Sequence, residues 1–406
     1  MGKPTIRFKG YTDDWEQRKL DDLTEELSEY ATMASGLPLL TSSRSGLMYQ
    51  SDFRDRKTTT SDETLFSIVP KGSCTYRHMS DDDIFHMNIN VLEKGLVSRE
   101  YPVFISSENN DLEFIIQHIN SSDRFRAFCK GQKKGGTRTR LYYKTLCEFE
   151  MMIPSIEEQK KISATLHSLD HLITLHQRKC DQAKILKKYM LQKMFPQNDE
   201  KVPKIRFKGF TDDWEQRKLG ELASSFEYGL NAAAKEYDGE NKYIRITDID
   251  DNTHEFLTDN LTSPDIELTG ADNYKLTEGD ILFARTGASV GKSYIYKNSD
   301  GLVYYAGFLI RARIKEEYDA EFVFQNTLTD RYNKYIAVTS QRSGQPGVNA
   351  QEYAEFEIKV PQKEEQTKIG TYFHNIDHLI TLHQHKCEEL KNIKKFMLQN
   401  MFVQEK

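Results

Sequence analysis

The chain repeats two of its own segments around two unlike inserts. Residues 4–20 (PTIRFKGYTDDWEQRKL) and residues 203–219 (PKIRFKGFTDDWEQRKL) are identical at 15 of 17 positions. Residues 154–195 and residues 361–402 match at 25 of 42 positions. We call the first pair the short repeats and the second pair the long repeats. Such internal repetition indicates one structural unit that is used twice.

The two segments between the repeats, 21–153 and 220–360, show no comparable likeness to each other. We call them the first and second variable segments. A duplication without functional meaning would have left them as alike as the repeats, so the order predicts two similar frames that carry different domains. The division is 1–20, 21–153, 154–195, a linker at 196–202, 203–219, 220–360 and 361–406.

The long repeats have the apolar spacing of coiled-coil helices. Apolar residues recur at alternating steps of four and three, with a period near 3.5. The positions are Ile162, Leu166, Leu169, Ile173, Ala183, Met190 and Met194 in the first copy, and Ile369, Phe373, Ile376, Ile380, Leu390, Met397 and Met401 in the second. The apolar seam of one helix needs a second helix to pack against. The helix of the other long repeat would be that partner, in antiparallel orientation.

The variable segments mix short β-type runs with turns and some helix, for example a helix at 112–119 and another at 320–335. The fold class is therefore α+β: two globular mixed domains joined by two long antiparallel coiled-coil helices, with pseudo-two-fold symmetry. In the short repeats, Asp13-x-x-Glu16 and Asp212-x-x-Glu215 predict an Asp-capped short helix. Trp15 and Trp214 lie inside these motifs, and we expect them to be packing anchors.

Composition limits the class of protein. The formal net charge of −6 argues against indiscriminate nucleic-acid binding, so a DNA-binding function requires a local positive surface. Five sparse cysteines favour reduced thiols over disulfides. No apolar stretch approaches the ~20 residues that span a bilayer, and the amino terminus does not resemble a secretory signal. We expect a cytoplasmic protein.

Residues 124–144 hold eight Lys or Arg side chains and no acid. With glycines and two tyrosines interleaved, this run predicts a flexible loop that follows DNA phosphates and places some arginines in a groove. The alternative is an ordinary solvated face. The candidate DNA contacts are Lys133, Lys134, Arg138, Arg140 and Tyr142.

Residues 287–293 (GASVGKS) resemble a phosphate-binding loop but have three residues between the glycines where the Walker pattern needs four. We interpret this turn, with Arg285, Gly287 and Lys292, as a contact for a DNA backbone. The polar turn at 341–349 adds Arg342, Gln345 and Asn349, because Arg pairs with guanine edges and Gln or Asn pairs with adenine edges.

His176 and Cys180 fall on the seam of the first long repeat, as do His383 and Cys387 on the second. In an antiparallel pair they would meet as two His and two Cys, a set that suits zinc. The other interpretation, which we favour, is a polar layer that fixes the register of the helices. No methylase, nuclease or cofactor-binding motif is present, so we expect no catalytic residue and no metal in this chain.

Several of these stretches resemble the specificity subunits of type I restriction-modification enzymes. They include Trp-Glu-x-x-Lys-Leu in each short repeat, Gly279-Asp280-Ile-Leu-x-x-Arg285-x-Gly287, and Ile/Val-Pro-x-x-x-Glu-Gln-x-x-Ile at 153–162 and 360–369. Residues 38–46 and 95–104 are similar to that family's target-recognition domains, which adds Arg44 to the candidate contacts.

The resemblance implies a non-catalytic subunit whose two domains each read one half of a bipartite site in double-stranded DNA. It also implies that the helices set the spacer and dock two adenine-N6 methyltransferase subunits, and that ATP-dependent restriction subunits then join. S-adenosylmethionine would belong to the methyltransferase, so this chain would hold no cofactor. The alternatives are a stand-alone DNA-binding regulator built as an internal pseudo-dimer, and a nucleotide-dependent enzyme that uses 287–293.

Overall fold

The computed structural model describes residues 2–53, 63–133, 137–197 and 200–403. It divides into two compact units: unit 1 is Met1–Leu175 with Cys387–Lys406, and unit 2 is His176–Lys386. Each unit therefore holds one variable segment and a part of both long repeats. In the described ranges, no helix has both the length and the apolarity needed to cross a membrane.

Each long repeat forms one long helix. The first frame helix is Ile156–Met194 and the second is Lys363–Asn400. The expected seam positions are buried or half-buried along both helices, while most positions between them are exposed. The α+β fold with two long helices is thus confirmed.

The two helices run antiparallel within each unit. In unit 2, His176 meets His383, whereas Lys187, farther along the first helix, meets Asp377, which is earlier on the second. Unit 1 has the equivalent ion pair with the roles of the helices exchanged, Lys394 with Asp170 at 2.6 Å. The same Asp–Lys contact, made once in each direction, is what an antiparallel pair of repeats requires.

The short repeats form strands at the positions where we expected Asp-capped helices, so that prediction is wrong. Strand Glu16–Lys19 pairs antiparallel with Glu150–Ile153, and strand Glu215–Lys218 pairs with Glu357–Val360. The backbone of each short repeat finds a ladder partner in the strand just before a frame helix, and this pairing outweighs the local capping pattern. Trp15 and Trp214 are buried in the cores of their units, as expected of packing anchors.

A buried ion pair fastens each short repeat to a long repeat. Arg7 binds both carboxylate oxygens of Glu158 at 2.7 Å, and Arg206 binds both oxygens of Glu365 at 2.7 and 2.8 Å. The hydrogen bond to the carboxylate raises the pKa of each arginine. Bidentate Arg–carboxylate pairs are among the strongest charge-assisted contacts. The repeats therefore form a frame that is held together identically in both units.

Both variable segments attach to this frame through the same four-residue motif. Asp111-Leu-Glu-Phe114 and Asp319-Ala-Glu-Phe322 open a helix, and the Asp side chain accepts a hydrogen bond from the Phe backbone N–H in each. The Asp backbone N–H donates to Gln159 Oε1 in unit 1 and to Gln366 Oε1 in unit 2. We call this Asp-x-Glu-Phe sequence the docking motif.

The side chains of the docking motif repeat their contacts as well. Phe114 lies edge-on to Trp15 at 5.8 Å, and Phe322 lies edge-on to Trp214 at 5.7 Å between ring centroids. The Glu of each motif faces a histidine of a frame helix, Glu113 with His167 and Glu321 with His374. The bond to Glu321 raises the pKa of His374.

The first variable segment is built on small antiparallel sheets. One sheet has the order 95–98, 66–69, 30–31 and another the order 24–26, 103–106, 74–75, 88–89. The strands are Thr24–Glu26, Tyr30–Ala31, Leu40–Ser43, Gly46–Tyr49, Phe66–Val69, Cys74–Thr75, Met79–Ser80, Asn88–Ile89, Gly95–Ser98, Val103–Ser106 and Thr139–Arg140. The helices are Leu20–Leu23, Met33–Ser35, Gln50–Phe53, Leu112–Ser121, Asp123–Gly131 and Tyr143–Leu146.

The second variable segment has a four-stranded antiparallel sheet in the order 223–228, 309–314, 281–284, 293–295. The strands are Ala223–Tyr228, Ala234–Glu236, Lys242–Ile244, Thr262–Pro264, Ile281–Ala284, Ser293–Ile295, Val303–Tyr305 and Leu309–Ile314. The helices are Leu219–Leu222, Ile246–Asp248, Asp272–Tyr274, Gly287–Ser289, Asn298–Asp300, Ala320–Asn326, Asp330–Thr339 and Ala350–Ala354. The helix expected at 320–335 is thus two helices, because Thr329 caps a new one.

Candidate nucleic-acid interface

The first half of the basic run is a helix and not the flexible loop that its composition predicts. Helix Asp123–Gly131 begins after Ser122, whose side chain accepts a hydrogen bond from Phe125 N. The helix buries Phe125 and Cys129 in the core of unit 1, and this burial fixes its conformation. Arg124 and Lys130 stay on the exposed side.

Three consecutive aspartates oppose part of the basic run, so its charges are not unopposed in the folded chain. These aspartates, 81–83, lie in a loop of the same variable segment. The ion pairs are Arg138 with Asp81 at 2.7 Å, Lys133 with Asp83 at 3.7 Å, and Arg44 with Asp82. Five of the six side chains are at least 40% exposed and the sixth, Asp83, is 20% exposed, so each pair contributes only about 0–1 kcal/mol and can be exchanged for another partner.

Arg140 and Tyr142 lie near these ion pairs and next to Arg77, an arginine outside the basic run. Strand Thr139–Arg140 pairs with Met79–Ser80, and the ring of Tyr142 stacks on His78 with centroids 5.5 Å apart. Burial lowers the pKa of His78, and the charges of Arg140 and Arg77 act in the same direction. The structure thus brings Arg77, Arg140 and Tyr142 together, and sequence spacing could not reveal Arg77. Lys134 lies outside the described residues.

In the second variable segment, residues 287–293 connect two antiparallel strands, Ile281–Ala284 and Ser293–Ile295, with no long helix after the turn. Gly287 has a φ of 74°, a conformation that favours glycine. Its N–H donates to the carbonyl of Pro346, and a Cβ there would lie 3.0 Å from the Gln345 amide nitrogen. Gly287 and Gln345 therefore lie side by side.

The Lys292 side chain is not placed with Gly287 and Gln345. Its Nζ donates to the carbonyl of Ile249 and pairs with Asp251, and the side chain is only 11% exposed. Lys292 therefore braces the turn from inside, and its charge already has a partner.

Arg342 and Asn349 are also engaged within the chain. Arg342 donates to the carbonyls of Thr339 and Gln341 and pairs with Glu352. Asn349 caps helix Ala350–Ala354 by accepting from Glu352 N, and the Glu352 carboxylate accepts from Asn349 N. This is a capping box, and the Asn349-x-x-Glu352 spacing in the sequence could have revealed it.

Arg285 has a different environment. Its guanidinium carbon lies 5.1 Å from the ring centroid of Tyr228 and 5.9 Å from that of Phe308. Both rings are exposed, at 44% and 57%. Neither aromatic residue was singled out from the sequence, because they lie 57 and 23 positions from Arg285.

The histidines of the helix seam contact each other directly. In unit 2, His176 Nδ1 lies 3.0 Å from His383 Nδ1, so one ring donates to the other. Burial lowers the pKa of His383, which favours the neutral ring that such a bond needs. Among the described residues, no group of three or more His, Cys, Asp or Glu is arranged to hold a metal. This geometry favours the polar layer over the zinc site.

The architecture of two units, each with a variable domain on a shared pair of antiparallel helices, is that of a known class. A crystal structure of the S subunit of a type I restriction-modification system from M. genitalium superposes with a TM-score of 0.68 over 100% of both chains, at 13% identity. At this identity the likeness establishes the fold.

The family follows from the sequence model "Type I restriction modification DNA specificity domain", which matches residues 68–184 and 211–392. The chain belongs to this family. A relative, the type I restriction enzyme MjaVIII specificity subunit of Methanocaldococcus jannaschii, is 24% identical over 280 residues. That match covers 66% of this chain and 65% of the relative, so the chain spans somewhat less than two thirds of the relative's length.

Proposed function

We propose that this chain is the DNA-recognition subunit of a type I restriction-modification complex, in which each variable segment reads one half of a bipartite site in double-stranded DNA. The observation that carries the proposal is the frame itself. The same Arg–Glu pair and the same docking motif hold two dissimilar domains, one in each unit. A frame that is repeated while the two variable segments differ is suited to binding two different DNA sequences at a fixed separation.

In the first variable segment we assign DNA contacts to six residues that are exposed: Arg44, Arg77, Lys133, Arg138, Arg140 and Tyr142. We assign a seventh contact to Lys134, which lies outside the described residues. In the second segment we assign Arg285, Gly287, Arg342 and Gln345. We give structural roles to Lys292, whose side chain is 11% exposed and bonded inside the turn, and to Asn349, whose side chain caps a helix. Arg342 stays in the set because its side chain is 41% exposed, so its ion pair with Glu352 can be exchanged for a contact with DNA. Arg and Gln side chains supply base contacts, whereas Lys supplies phosphate contacts.

The frame helices would set the spacer and dock two methyltransferase subunits. Exposed apolar side chains recur at equivalent positions of the two helices, and each is between 37% and 55% exposed. They are Leu172, Leu175, Leu186 and Tyr189 on the first helix, and Leu379, Leu382, Ile393 and Phe396 on the second. Each unit carries four of them, which suits two identical partners. Methylation of adenine N6 and ATP-dependent cleavage would belong to the partner subunits.

The test is co-expression of the chain with an N6-adenine methyltransferase subunit, read by methylome sequencing. We expect a two-part methylated motif with the pair and no methylation or ATP hydrolysis with the chain alone. Replacing residues 21–153 with the matching segment of a relative should change one half of the motif and preserve the other half and the spacer. Methylation by the isolated chain, or simultaneous change of both halves, would refute the proposal.

The docking of partners has its own test. Leu172→Asp with Leu175→Asp removes apolar surface from unit 1, and the matched pair Leu379→Asp with Leu382→Asp removes it from unit 2. Each double variant should retain one methyltransferase copy instead of two, as measured by native mass spectrometry. Two bound copies in both variants would show that these side chains do not form the docking surface.

A further inference from the structure

Arg285 differs from the other arginines of the second variable segment and its flanks because, among the residues that the structure describes, they pair with a carboxylate and it does not. Between positions 206 and 342 there are eight arginines. Seven pair with a carboxylate: Arg206 with Glu365, Arg217 with Glu215, Arg245 with Asp248, Arg311 with Glu227, Arg313 with Asp280, Arg331 with Glu357 and Arg342 with Glu352. Within the described ranges, Arg285 has no ion pair with an acid. A guanidinium without an acid is available to an external acceptor.

Its position is nevertheless fixed. The backbone N–H of Arg285 donates to the carbonyl of Phe308 at 3.1 Å, and its carbonyl accepts from Val348 N at 2.9 Å. The guanidinium lies near two aromatic rings, and the Tyr228 hydroxyl accepts a hydrogen bond from Ala350 N at 3.3 Å. Each cation–π contact at an exposed site holds the side chain weakly but directionally. Arg285 therefore loses little conformational freedom when it binds.

Tyr228 and Phe308 are exposed rings that flank the same guanidinium, so two aromatic side chains lie beside one cation on the surface. Gly287 follows Arg285 by two positions in the sequence. Gln345 lies beside Gly287 in the structure. The surface thus combines a pre-positioned guanidinium, two aromatic rings and an amide.

We infer that Arg285 reads a guanine in the half-site of the second variable segment, and that Tyr228 and Phe308 are positioning residues for it. The inference rests on the DNA-recognition function proposed above. Contacts with ring faces leave the N–H edge of a guanidinium free. That edge matches the O6 and N7 acceptors of guanine in the major groove, the commonest specific contact of arginine. A guanidinium can also bind a phosphate in a bidentate manner, and the two roles differ in whether the loss of Arg285 changes base preference or only overall affinity.

The experiment uses the complex of this chain with its methyltransferase subunit. Binding is measured against the methylome-defined site and against sites with each base pair of the second half replaced. We expect the second half-site to contain a G·C pair at which Arg285→Ala reduces the preference by ~5- to 150-fold, the range of one bidentate contact. Arg285→Lys should lose the same preference although it keeps the charge. Tyr228→Ala and Phe308→Ala should each lose part of it.

Arg331→Ala is the matched control, because it removes an arginine of the same segment that already has an acidic partner. It should leave every base preference unchanged. If Arg285→Ala weakens all sequences alike and lowers the salt slope by about one, while Arg285→Lys restores affinity, the residue binds a phosphate and the inference is wrong. Unchanged preferences in Arg285→Ala would refute it as well. Absence of any sequence-specific binding by the unmodified complex would instead refute the proposed function.

Discussion

The ion pair between Arg7 and Glu158 supports the most quantitative prediction. Glu158 is 1% exposed at its side chain and Arg7 is 14% exposed, and both oxygens of the carboxylate are bonded at 2.7 Å. Glu158→Gln keeps the shape of the side chain but leaves the arginine charge without its counter-charge. Removing one partner of a buried pair costs about 3–5 kcal/mol. For a domain of 150–250 residues this corresponds to a fall in Tm of ~6–20 °C.

Hydrogen-exchange mass spectrometry can locate the effect. Peptides from residues 150–166 should exchange faster in Glu158→Gln, while peptides from residues 357–373 should not change. Glu365→Gln should produce the reverse pattern, because Glu365 makes the same contact in unit 2. Glu157→Gln, an exposed neighbour, is the control and should leave both regions unaffected. A loss of stability below about 1 kcal/mol in both buried variants would refute the view that these pairs fasten the repeats together.

Three further predictions follow from individual contacts. Changing Asp81, Asp82 and Asp83 to asparagine should tighten binding to non-specific DNA and steepen its salt dependence by up to about 2.7, because three cations lose their internal partners. Burial lowers the pKa of His118 to about 4, so the unfolded chain binds this proton more readily. The free energy of unfolding of unit 1 should therefore be highest above about pH 6.5 and fall by about 3 kcal/mol towards pH 4. In thermal unfolding, His118→Phe should make this free energy less dependent on pH. Inserting four residues after Leu175 should lengthen the first frame helix by ~6 Å and the methylated spacer by one or two base pairs of 3.4 Å, with both half-sites unchanged.

Each of these has an outcome that contradicts it. For the aspartates, the matched control is the set Glu63→Gln, Glu108→Gln and Glu148→Gln, three exposed acids of unit 1. Equal tightening in that control would assign the effect to net charge. For His118, an unchanged pH profile in the Phe variant would place the titration elsewhere. For the insertion, an unchanged spacer would show that the helices do not set it.

The frame was predictable because its signals are long and periodic. A 3.5-residue seam over two helices of 39 and 38 residues has few alternative interpretations, and the repetition of the seam indicates the partner. The short repeats were predicted wrongly because a four-residue capping pattern is a weak local preference. Strand Glu16–Lys19 pairs with residues that follow 131 to 137 positions later. This pairing outweighs the capping pattern, and a short stretch of sequence cannot reveal it.

The candidate interface was only partly accessible to sequence reasoning. The basic run predicts where positive charge is concentrated, but not that the aspartates at 81–83 face it, since these lie about 50 residues away. Side chains that cap helices or brace turns, such as Asn349 and Lys292, are of the same residue types as side chains that contact DNA. Only their partners distinguish them, and partners depend on the tertiary fold.

The docking motif has a consequence for how such chains change. In unit 1 it rests on Gln159, His167, Trp15 and Phe402, and in unit 2 on Gln366, His374, Trp214 and Phe195. The two sockets consist of the same four residue types. A domain that carries Asp-x-Glu-Phe at the start of a helix therefore fits either socket, whatever surface it presents elsewhere. Under the proposed function, two equivalent sockets on antiparallel repeats read the two opposite strands of one site. Exchanging the two inserts within one gene would therefore keep both sockets filled and return the same double-stranded target, read from the other strand, so a new target requires an insert of different sequence.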